Sequence, residues 1–554
     1  MAPSARSILD THWGDGSTFL QQWRQWLAEP PSERPRMLHY VALVHLADLD
    51  KPVAGDDPLA HALRKALHQA FGAPGPGAGH YRICLQGGLL QLTWCVGPPD
   101  ATLPELRMQA DRVLLRAMPP PSAPAWAWFG RLCKAGAQLH WTPPHGGMAS
   151  DAPQVPPAPW QASSATCWTY APPWPLRRNR QQTRTVWARP QRCTVVGAGL
   201  SGAATAQALA LRGWQVQVLE AGAQPGAGAS GVPAGLVSAQ RSQDDAPQSL
   251  WTTRGAALMR QWVANSLLEG RDWQPSGASM LLADAKPAAS TTPWNPQAFW
   301  MRPGAWIVSC LASEGIALRC HARVAQLVQS EGLWCALDGA GALLAESELV
   351  VLCNAADGAR LLRTPALACT PALQALAARL QGRHGSVSLG PAAGLAGLPA
   401  HPVHGAGHFL PALPAPGGLR WLAGAGFAQY AGADPAAEHA DNITRVGHML
   451  PEVADALRAQ AKAGLLELWK GERCTSPDRL PLIGAVAAAP AAGLWVHLAM
   501  GSRGLSVAAL GAAWLAACIM GEPWPMEARL ARYVDAQRLE RKLPPTGNNS
   551  ESAP

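Results

Sequence analysis

Three features of this chain of 554 residues could do chemistry together. Gly197, Gly199 and Gly202 have the G-x-G-x-x-G spacing, in which backbone amides at the start of a helix bind a pyrophosphate. Glu220 follows about twenty residues later, where a carboxylate binds ribose hydroxyls. Arg473 carries a guanidinium fork that can grip a carboxylate through two hydrogen bonds. The glycines and Glu220 predict a bound dinucleotide.

The elements around the glycines are those that such a site needs. Residues 193–196 are apolar, as in a strand buried on both faces. A helix is predicted over 203–212, and Gly213 ends it. A second strand over 214–219 leads directly to Glu220, so strand, turn, helix, strand and acid follow in the order of a Rossmann-like fold. The candidate cofactor-binding residues of the turn are Gly197, Ala198, Gly199, Leu200, Ser201 and Gly202.

Bulk composition excludes some classes of protein and permits others. The net charge of +8 permits a polyanionic partner without demanding one. The 12 cysteines contain no C-x-x-C pair, so neither a metal site nor a disulfide framework is indicated, and a reducing cytoplasm is expected. The N-terminus lacks a signal-peptide pattern, and the apolar run 505–520 is interpreted as a buried helix. We therefore expect a cytoplasmic protein without a membrane partner.

Composition divides the chain into three regions and a tail. Residues 1–145 alternate strand-like and helix-like runs, and residues 146–190 are a Pro/Arg/Trp-rich segment interpreted as a linker. Residues 191–540 return to globular composition. Residues 541–554 are polar and predicted to be a disordered tail.

A second loop of small residues favours FAD over NAD as the dinucleotide. The run EAGAQPGAGASG starts at Glu220, and it resembles the flavin amine-oxidase superfamily that includes glycine oxidase and D-amino-acid oxidases. The resemblance implies FAD and an α/β fold, in which a Rossmann-like FAD-binding domain carries an α+β antiparallel-sheet substrate domain. It also implies cofactor contacts at Glu220, Ala221, Ala229, Ser230, Gly231, Val324, Asn354, Ala355, Gly501, Ser502, Arg503, Gly504 and Leu505.

The substrate domain is expected from two segments, approximately 271–304 and 382–469. Arg473 aligns with the arginine that glycine-oxidase-like enzymes use to hold a substrate carboxylate, so it is the candidate catalytic residue. The resemblance requires no side-chain acid or base, because a neutral amine can be oxidised directly. Four histidines are interpreted as isolated, structural or exposed residues: His321, His384, His404 and His408.

Over nearly its whole length the chain resembles the MnmC family of bifunctional tRNA-modification proteins. The stretches that carry this resemblance are RGWQVQVLEAGAQPGAGASG, ERCTSPDRLPLIGAV and LAMGSRGLSVAALGAAWLA. The resemblance implies that FAD-dependent oxidation removes the carboxymethyl group from 5-carboxymethylaminomethyl-(2-thio)uridine at the wobble position of tRNA. Aminomethyl-uridine and glyoxylate are the implied products, with molecular oxygen as the electron acceptor. It makes no prediction of oligomeric state.

The N-terminal region resembles the family's methyltransferase domain but departs from it. DTHWGDGSTFLQQW is similar to the loop that binds S-adenosylmethionine, yet His12 replaces a glycine. Arg116 stands where the family has an acid, and an arginine repels a sulfonium and cannot take a proton from an amine. We therefore expect a degenerate domain without methyltransferase activity or bound S-adenosylmethionine. Asp15 and Asp111 are alternative carboxylates, although neither occupies the family's position.

Basic and aromatic residues before the flavin motif are compatible with tRNA as partner, because arginines bind phosphates and aromatic rings stack on bases. A solvated basic linker explains them equally well. These residues are Arg177, Arg178, Arg180, Arg184, Arg189, Arg192, Trp174 and Trp187. Two other functions stay open at this point: a small-molecule oxidase of glycine, sarcosine or a D-amino acid, and a non-enzymatic FAD- or tRNA-binding protein.

Overall fold

The structure is a computed structural model that describes residues 4–72, 75–116, 124–142, 155–174, 187, 189–239, 242, 244–281, 293–368, 371–425, 434–486 and 493–539. Its α-helices are α1 Ser17–Ala28, α2 Pro58–Phe71, α3 Pro99–Thr102, α4 Ala125–Leu132, α5 Leu200–Ala210, α6 Pro247–Ser266, α7 Pro303–Leu311, α8 Asp357–Leu362, α9 Pro365–Ala368, α10 Pro371–Arg379, α11 Pro435–Gly447, α12 Pro451–Lys462, α13 Gly504–Met520 and α14 Ala528–Arg532.

The strands of the N-terminal half are β1 Ala5–Asp10, β2 Met37–Val44, β3 Gly79–Leu85, β4 Leu90–Val96, β5 Ala110–Leu115, β6 Cys133–Trp141, β7 Trp160–Ser164, β8 Cys167–Tyr170, β9 Arg192–Val196, β10 Gln215–Leu219, β11 Gly235–Val237, β12 Trp273–Gln274 and β13 Ala278–Met280. The remaining strands are β14 Trp294–Asn295, β15 Phe299–Met301, β16 Ile316–Arg319, β17 Gln326–Ser330, β18 Leu333–Leu337, β19 Leu343–Ser347, β20 Leu349–Leu352, β21 Gln381–Pro391, β22 Val403–His404, β23 His408–Ala415, β24 Gly418–Gly424, β25 Glu467–Thr475, β26 Leu482–Ala485 and β27 Leu494–Leu498.

The N-terminal sheet has eight strands in the order β3-β4-β2-β1-β5-β6-β8-β7. Strands β4, β2, β1, β5 and β6 are parallel, and β2 is buried along its whole length, as expected for a sheet covered on both faces. The strand order reverses beside β1, which makes the carboxyl end of β1 a topological switch point.

The predicted end of this domain at residue 145 is corrected by the hairpin β7–β8, which pairs with β6 and completes the same sheet. Trp160, Trp168 and Tyr170 are buried in its core. The segment 146–190 is therefore not a linker throughout. Its Pro-rich flanks dominated the composition, whereas two short strands with three buried aromatic residues fix residues 160–170 to the sheet.

The described residues from 191 to 539 are called the flavin-type region below. This region is built on a six-stranded sheet in the order β16-β10-β9-β20-β27-β26. Strand β9 lies at its centre between β10 and β20, and all three are parallel. Helix α5 starts three residues earlier than the sequence predicted, immediately after Gly199. Four of its five alanines are buried and Ala208 is partly buried, so α5 packs tightly between the sheet and α13.

A seven-stranded mixed sheet forms the second layer of this region, in the order β14-β13-β22-β23-β24-β21-β25. Its central pairs are antiparallel, and β21 and β25 pair in continuous register from Gln381–Thr475 to Leu389–Glu467. Helices α11 and α12 cover one face around the buried Trp421. This sheet carries Arg473 on its edge strand β25.

Helix α13 is the core helix of the flavin-type region. Among the described residues, one helical segment, Gly501–Met520, is long and apolar enough to cross a membrane, with a mean hydropathy of 1.6. However, 72% of its apolar window is buried inside the fold, where α13 packs against α5 and α6. Its apolar surface is thus used by the protein's own core.

Two buried ion pairs of the flavin-type region lie where it contacts the N-terminal sheet. Arg254 of α6 bonds to Glu527 at 3.0 Å and donates to the hydroxyl of Tyr81 on β3 at 2.8 Å. Arg212 lies 2.6 Å from Glu522, whose other neighbour is His39 of β2 at 3.3 Å. The N-terminal sheet therefore contacts the flavin-type region through Tyr81 and His39, each of which lies beside one of these ion pairs.

Candidate functional site

The glycine turn between β9 and α5 forms a cradle that larger residues would fill. Gly197 has φ = 101°, a conformation that favours glycine, and a Cβ there would lie 2.9 Å from the carbonyl oxygen of Cys353. A Cβ on Gly202 would lie 1.8 Å from the carbonyl oxygen of Gly197. At Gly199 it would lie 3.0 Å from the hydroxyl of Ser230. The turn therefore leaves bare backbone at the N-terminus of α5.

Glu220 closes the cradle at the end of β10. Its carboxylate accepts hydrogen bonds from the amide of Ala198 at 2.7 Å and from the amide of Gly222 at 2.8 Å. The same carboxylate lines the adjoining cavity. Glu220 thus positions the turn and also offers an anionic acceptor where a ribose would lie.

The second small-residue loop lies against the first. The hydroxyl of Ser230 accepts a hydrogen bond from the amide of Leu200 at 3.1 Å, which ties the loop at Ala229–Gly231 to the start of α5. The amide of Gly226 donates to the carbonyl of Ala198 at 3.0 Å. The two loops therefore form a single wall of backbone groups.

A cavity of about 760 Å³ runs from this cradle to the seven-stranded sheet. That volume is within the usual range for a cofactor or ligand site, about 300–1,000 Å³. The sequence-predicted residues that line it are Gly197, Gly199, Leu200, Ser201, Glu220, Ala221, Ala229, Ser230, Val324, Asn354, Ala355, Arg473, Gly501, Ser502, Arg503, Gly504 and Leu505. Ala198, Gly202 and Gly231 lie behind this lining, where they shape the two loops.

The cavity wall has the polar groups that FAD requires. The Oδ1 atom of Asn354 is buried and has no hydrogen-bond partner among the described residues. Gly501–Arg503 form a single turn immediately before α13, so the N-terminus of this long helix faces the cavity. A helix N-terminus stabilises negative charge, as on a reduced flavin. The glycine cradle, Glu220 and the orphan amide oxygen together fit FAD.

The wall formed by the seven-stranded sheet is aromatic and basic. Arg473 and Trp469 both lie on β25, four residues apart, and both line the cavity. Since side chains alternate along a strand, this even spacing places them on one face. Burial lowers the pKa of Arg473, although a guanidinium still keeps its charge at neutral pH. The arrangement can hold a carboxylate within reach of the flavin cradle.

Two histidines that the sequence analysis interpreted as isolated lie in the same cavity. His404 and His408 flank the turn between β22 and β23 and line the wall with Arg473. Burial and the nearby charge of Arg473 lower the pKa of His408 to about 4. The only sequence signal was their spacing across a glycine-containing turn, HGAGH, and nothing in the sequence connected it to Arg473, 65 residues away.

The basic segment before β9 receives a partial correction. Trp187, a candidate for stacking on bases, packs its ring at 5.6 Å from that of Trp214 in the protein core. Arg192 pairs with Glu346 and Glu348. Trp174 is 54% exposed. Arg177, Arg178, Arg180 and Arg184 lie outside the described residues.

Comparison with a family profile shows which family of enzymes the chain belongs to. The profile of the FAD dependent oxidoreductase family, DAO, matches residues 192–292 and 291–518, more than half of the chain. The chain belongs to this family, and its cofactor is FAD.

Curated relatives then identify the branch. A tRNA 5-methylaminomethyl-2-thiouridine biosynthesis bifunctional protein MnmC of Albidiferax ferrireducens is 35% identical over 96% of this chain and 92% of its own length. The MnmC of Polaromonas naphthalenivorans is 34% identical over 98% of this chain and 91% of its own length. The chain belongs to the MnmC family.

Two solved structures of enzymes are similar to part of the chain. Glycine oxidase from Geobacillus kaustophilus matches with a TM-score of 0.46 and 19% identity over 59% of this chain and 94% of its own. L-proline dehydrogenase from P. horikoshii has a TM-score of 0.48 and 16% identity over 64% of this chain and 98% of its own.

Proposed function

We propose that this protein oxidatively removes the carboxymethyl group from 5-carboxymethylaminomethyl-(2-thio)uridine at the tRNA wobble position. The two-electron oxidation gives an imine, water hydrolyses that imine to aminomethyl-uridine and glyoxylate, and molecular oxygen accepts the two electrons as hydrogen peroxide. The observation that carries the proposal is one continuous cavity that joins the FAD cradle to Arg473, in a chain that is related to MnmC proteins along nearly its whole length.

The chain's own residues explain why such a substrate would react here. The modified base carries an N-substituted glycine arm. Arg473 binds the carboxylate of that arm and fixes its α-carbon at the cofactor. Bound FAD supplies a two-electron oxidation of the carbon beside the amine. The cradle residues from Gly197 to Gly202, together with Glu220, Ser230 and Asn354, hold the cofactor.

We further infer that the methyltransferase activity implied by the family is lost in this chain. Arg116 follows β5 at the switch-point edge of the N-terminal sheet, and it donates a hydrogen bond to the hydroxyl of Thr18 in α1. Nearby, Asp10 is buried, and burial raises its pKa to about 6 despite hydrogen bonds from Tyr40 and His12. A guanidinium in this crevice opposes the binding of a sulfonium.

Nucleoside analysis tests the proposed reaction. The flavinated protein is incubated in air with tRNA from a bacterial strain that lacks this oxidase, and the digested nucleosides are analysed by mass spectrometry. We expect 5-carboxymethylaminomethyl-uridine to be converted to aminomethyl-uridine with release of one equivalent of glyoxylate. Unchanged nucleosides, together with rapid oxidation of free glycine or sarcosine, would instead identify a small-molecule oxidase.

Calorimetry tests the loss of methyltransferase activity. We expect no binding of S-adenosylmethionine to the protein, and no N-methylated product when it is added to the assay. Binding in the micromolar range would contradict this part of the proposal. An Arg116→Asp variant measures whether the guanidinium alone blocks the crevice.

A further inference from the structure

His408 offers the cavity a polar atom that the fold leaves unsatisfied. Its Nε2 is buried, and among the described residues it has no hydrogen-bond partner. Buried polar groups are satisfied in native proteins, and an unmade hydrogen bond is destabilising. Because His408 lines the cavity, the missing partner can come from a bound molecule.

The neighbouring histidine is already engaged. The Nε2 atom of His404 lies 3.2 Å from the hydroxyl of Ser238, and that hydroxyl accepts a hydrogen bond from the Asn295 amide at 3.0 Å. His404 is therefore held at the wall by the protein itself. Of the two histidines, His408 is the one whose Nε2 lacks a hydrogen-bond partner among the described residues.

The charge state of His408 makes it an acceptor. Burial, followed by the charges of Arg473 and His404, lowers its pKa to about 4, so the imidazole is neutral at physiological pH. A neutral imidazole has one nitrogen with a lone pair. The wall formed by the seven-stranded sheet then places the positive Arg473 together with a neutral acceptor, which favours a substrate with a carboxylate and an uncharged amine.

The sheet separates the two groups by a suitable distance. His408 starts β23 and Arg473 lies on β25, and the strand order β23-β24-β21-β25 places three inter-strand steps between them. In register, His408 lies opposite Gly424, Gly424 opposite Val387 and Val387 opposite Trp469, so Arg473 lies four residues further along β25. Three steps across the strands and four residues along one strand give roughly 19 Å between the two backbones. The side chains of His408 and Arg473 both line the cavity and occupy part of the distance between the two backbones. The distance that is left between the imidazole and the guanidinium suits a carboxylate and the amine a few atoms away from it.

We propose that His408 accepts a hydrogen bond from the amine N–H of the substrate while Arg473 holds the carboxylate. This inference rests on the proposed function, because it assumes an N-substituted glycine arm. With both ends held, the nitrogen lone pair keeps one orientation relative to the α C–H bond that breaks. His408 itself transfers neither a proton nor electrons.

The test compares His408→Leu with His408→Asn, which retains an acceptor. Both variants must first show the flavin content of the wild type. We expect anaerobic flavin reduction by the modified tRNA to be about 10- to 100-fold slower in the leucine variant, as for misplaced reactants, and partly recovered in the asparagine variant. His61 is exposed on α2, so His61→Asn is the control, and its flavin should be reduced at the wild-type rate.

A ligand that has a carboxylate but no N–H group shows whether His408 binds the substrate amine or has only a structural role. Methoxyacetate has an oxygen in place of the amine, and its binding is measured by its effect on the flavin spectrum. We expect the same Kd in the wild type and in His408→Leu. An equal loss of methoxyacetate affinity would assign His408 a structural role, and an unchanged reduction rate would also overturn the proposal.

Sarcosine distinguishes failure of this inference from failure of the proposed function. If sarcosine reduces the wild-type flavin and tRNA does not, the proposed tRNA function is wrong, and His408→Leu must still slow reduction by sarcosine. If that variant reacts normally with sarcosine, the role of His408 is wrong whatever tRNA does. If neither molecule reduces the flavin, both proposals fail.

Discussion

Glu220 combines two tasks at the end of β10: it holds the glycine turn and it lines the cavity. The two carboxylate oxygens accept hydrogen bonds from the amides of Ala198 and Gly222, and these bonds fix the glycine turn before any ligand binds. The carboxylate also lines the cavity, where the fold places a ribose. A carboxylate held by backbone amides is rigid, so little entropy is lost when the cofactor binds.

Removing this carboxylate should release the cofactor. We expect Glu220→Ala to lose at least about 10-fold in FAD affinity, the effect of losing one or two charge-assisted hydrogen bonds. The ratio of absorbance at 450 nm to that at 280 nm after purification, and titration of the apoprotein with FAD, measure the loss. Glu314→Ala changes an exposed acid outside the cavity and is the control. A fully flavinated Glu220→Ala variant would contradict the ribose role.

Arg473 should affect substrate binding without affecting the flavin. We expect Arg473→Lys to raise KM about 100-fold, because lysine keeps the charge but loses the two-pronged fork. The measurement is steady-state kinetics with modified tRNA at saturating oxygen. Arg458→Ala, at an exposed position of helix α12, is the control. A KM equal to that of the wild type would exclude Arg473 from carboxylate binding.

At the residue scale, the sequence predicted the cofactor wall better than the substrate wall. Gly197, Gly199, Gly202 and Glu220 could be found because their spacing is local and each has one physical reason. The position of His408 could not be found, because His408 and Arg473 line one cavity only when two distant strands join the same sheet. No local pattern encodes an arrangement of that kind.

At the element scale, the turn from β9 into α5 determines where the helix begins. The sequence predicted a helix from residue 203, but α5 begins at Leu200 because the chain enters the helix directly from Gly199. The hairpin β7–β8 was not predicted, because the sequence around it obscured its strands. Its strands are short and Pro-rich segments surround them, so composition indicated a linker where three buried aromatic residues complete a sheet.

The close contact inside this turn predicts a specific sensitivity. A Cβ at Gly202 would overlap the carbonyl of Gly197, so Gly202→Ala must displace either α5 or the cradle. We expect a loss of at least about 1–3 kcal/mol in unfolding free energy, typical of overpacking, together with weaker FAD binding. Thermal unfolding with and without added FAD measures both effects.

Gly304→Ala is the matched control, because Gly304 lies in α7 and a methyl group added there would meet no other atom within 4 Å. It should be neutral or should stabilise the protein by about 0.4–1 kcal/mol. If both alanine variants behaved alike, the contact between Gly202 and Gly197 would not be the cause.

At the scale of the whole molecule, buried charges bind the N-terminal sheet to the flavin-type region. Glu522 lies between Arg212 and His39, and the carbonyl of Pro523 accepts a hydrogen bond from Arg82 of β3 at 2.7 Å. Burial acts to raise the pKa of Glu522, but Arg212 and His39 lower it to about 2. We therefore expect the two halves to unfold together, in a single calorimetric transition.

Breaking this pair should be costly, and the cost should depend on pH. Glu522→Gln leaves Arg212 buried without its counter-charge, so we expect a loss of about 3–5 kcal/mol at neutral pH. The folded-state pKa of Glu522 is depressed from 4.5 to about 2, so its contribution is complete above about pH 4.5 and is lost as pH falls towards 2. The stability difference between the wild type and the variant should shrink over that range. A difference independent of pH would contradict the ion pair.

FAD and the carboxylate-binding wall must share one cavity for the proposed reaction to occur, and anaerobic flavin reduction tests this most directly. The purified yellow protein is mixed without oxygen with tRNA that carries 5-carboxymethylaminomethyl-uridine, and absorbance at 450 nm is followed. We predict complete bleaching by this tRNA and none by the same tRNA lacking the modification. A protein that binds no FAD, or a flavin that stays oxidised in the presence of the modified tRNA, would contradict the shared cavity and the function proposed for it.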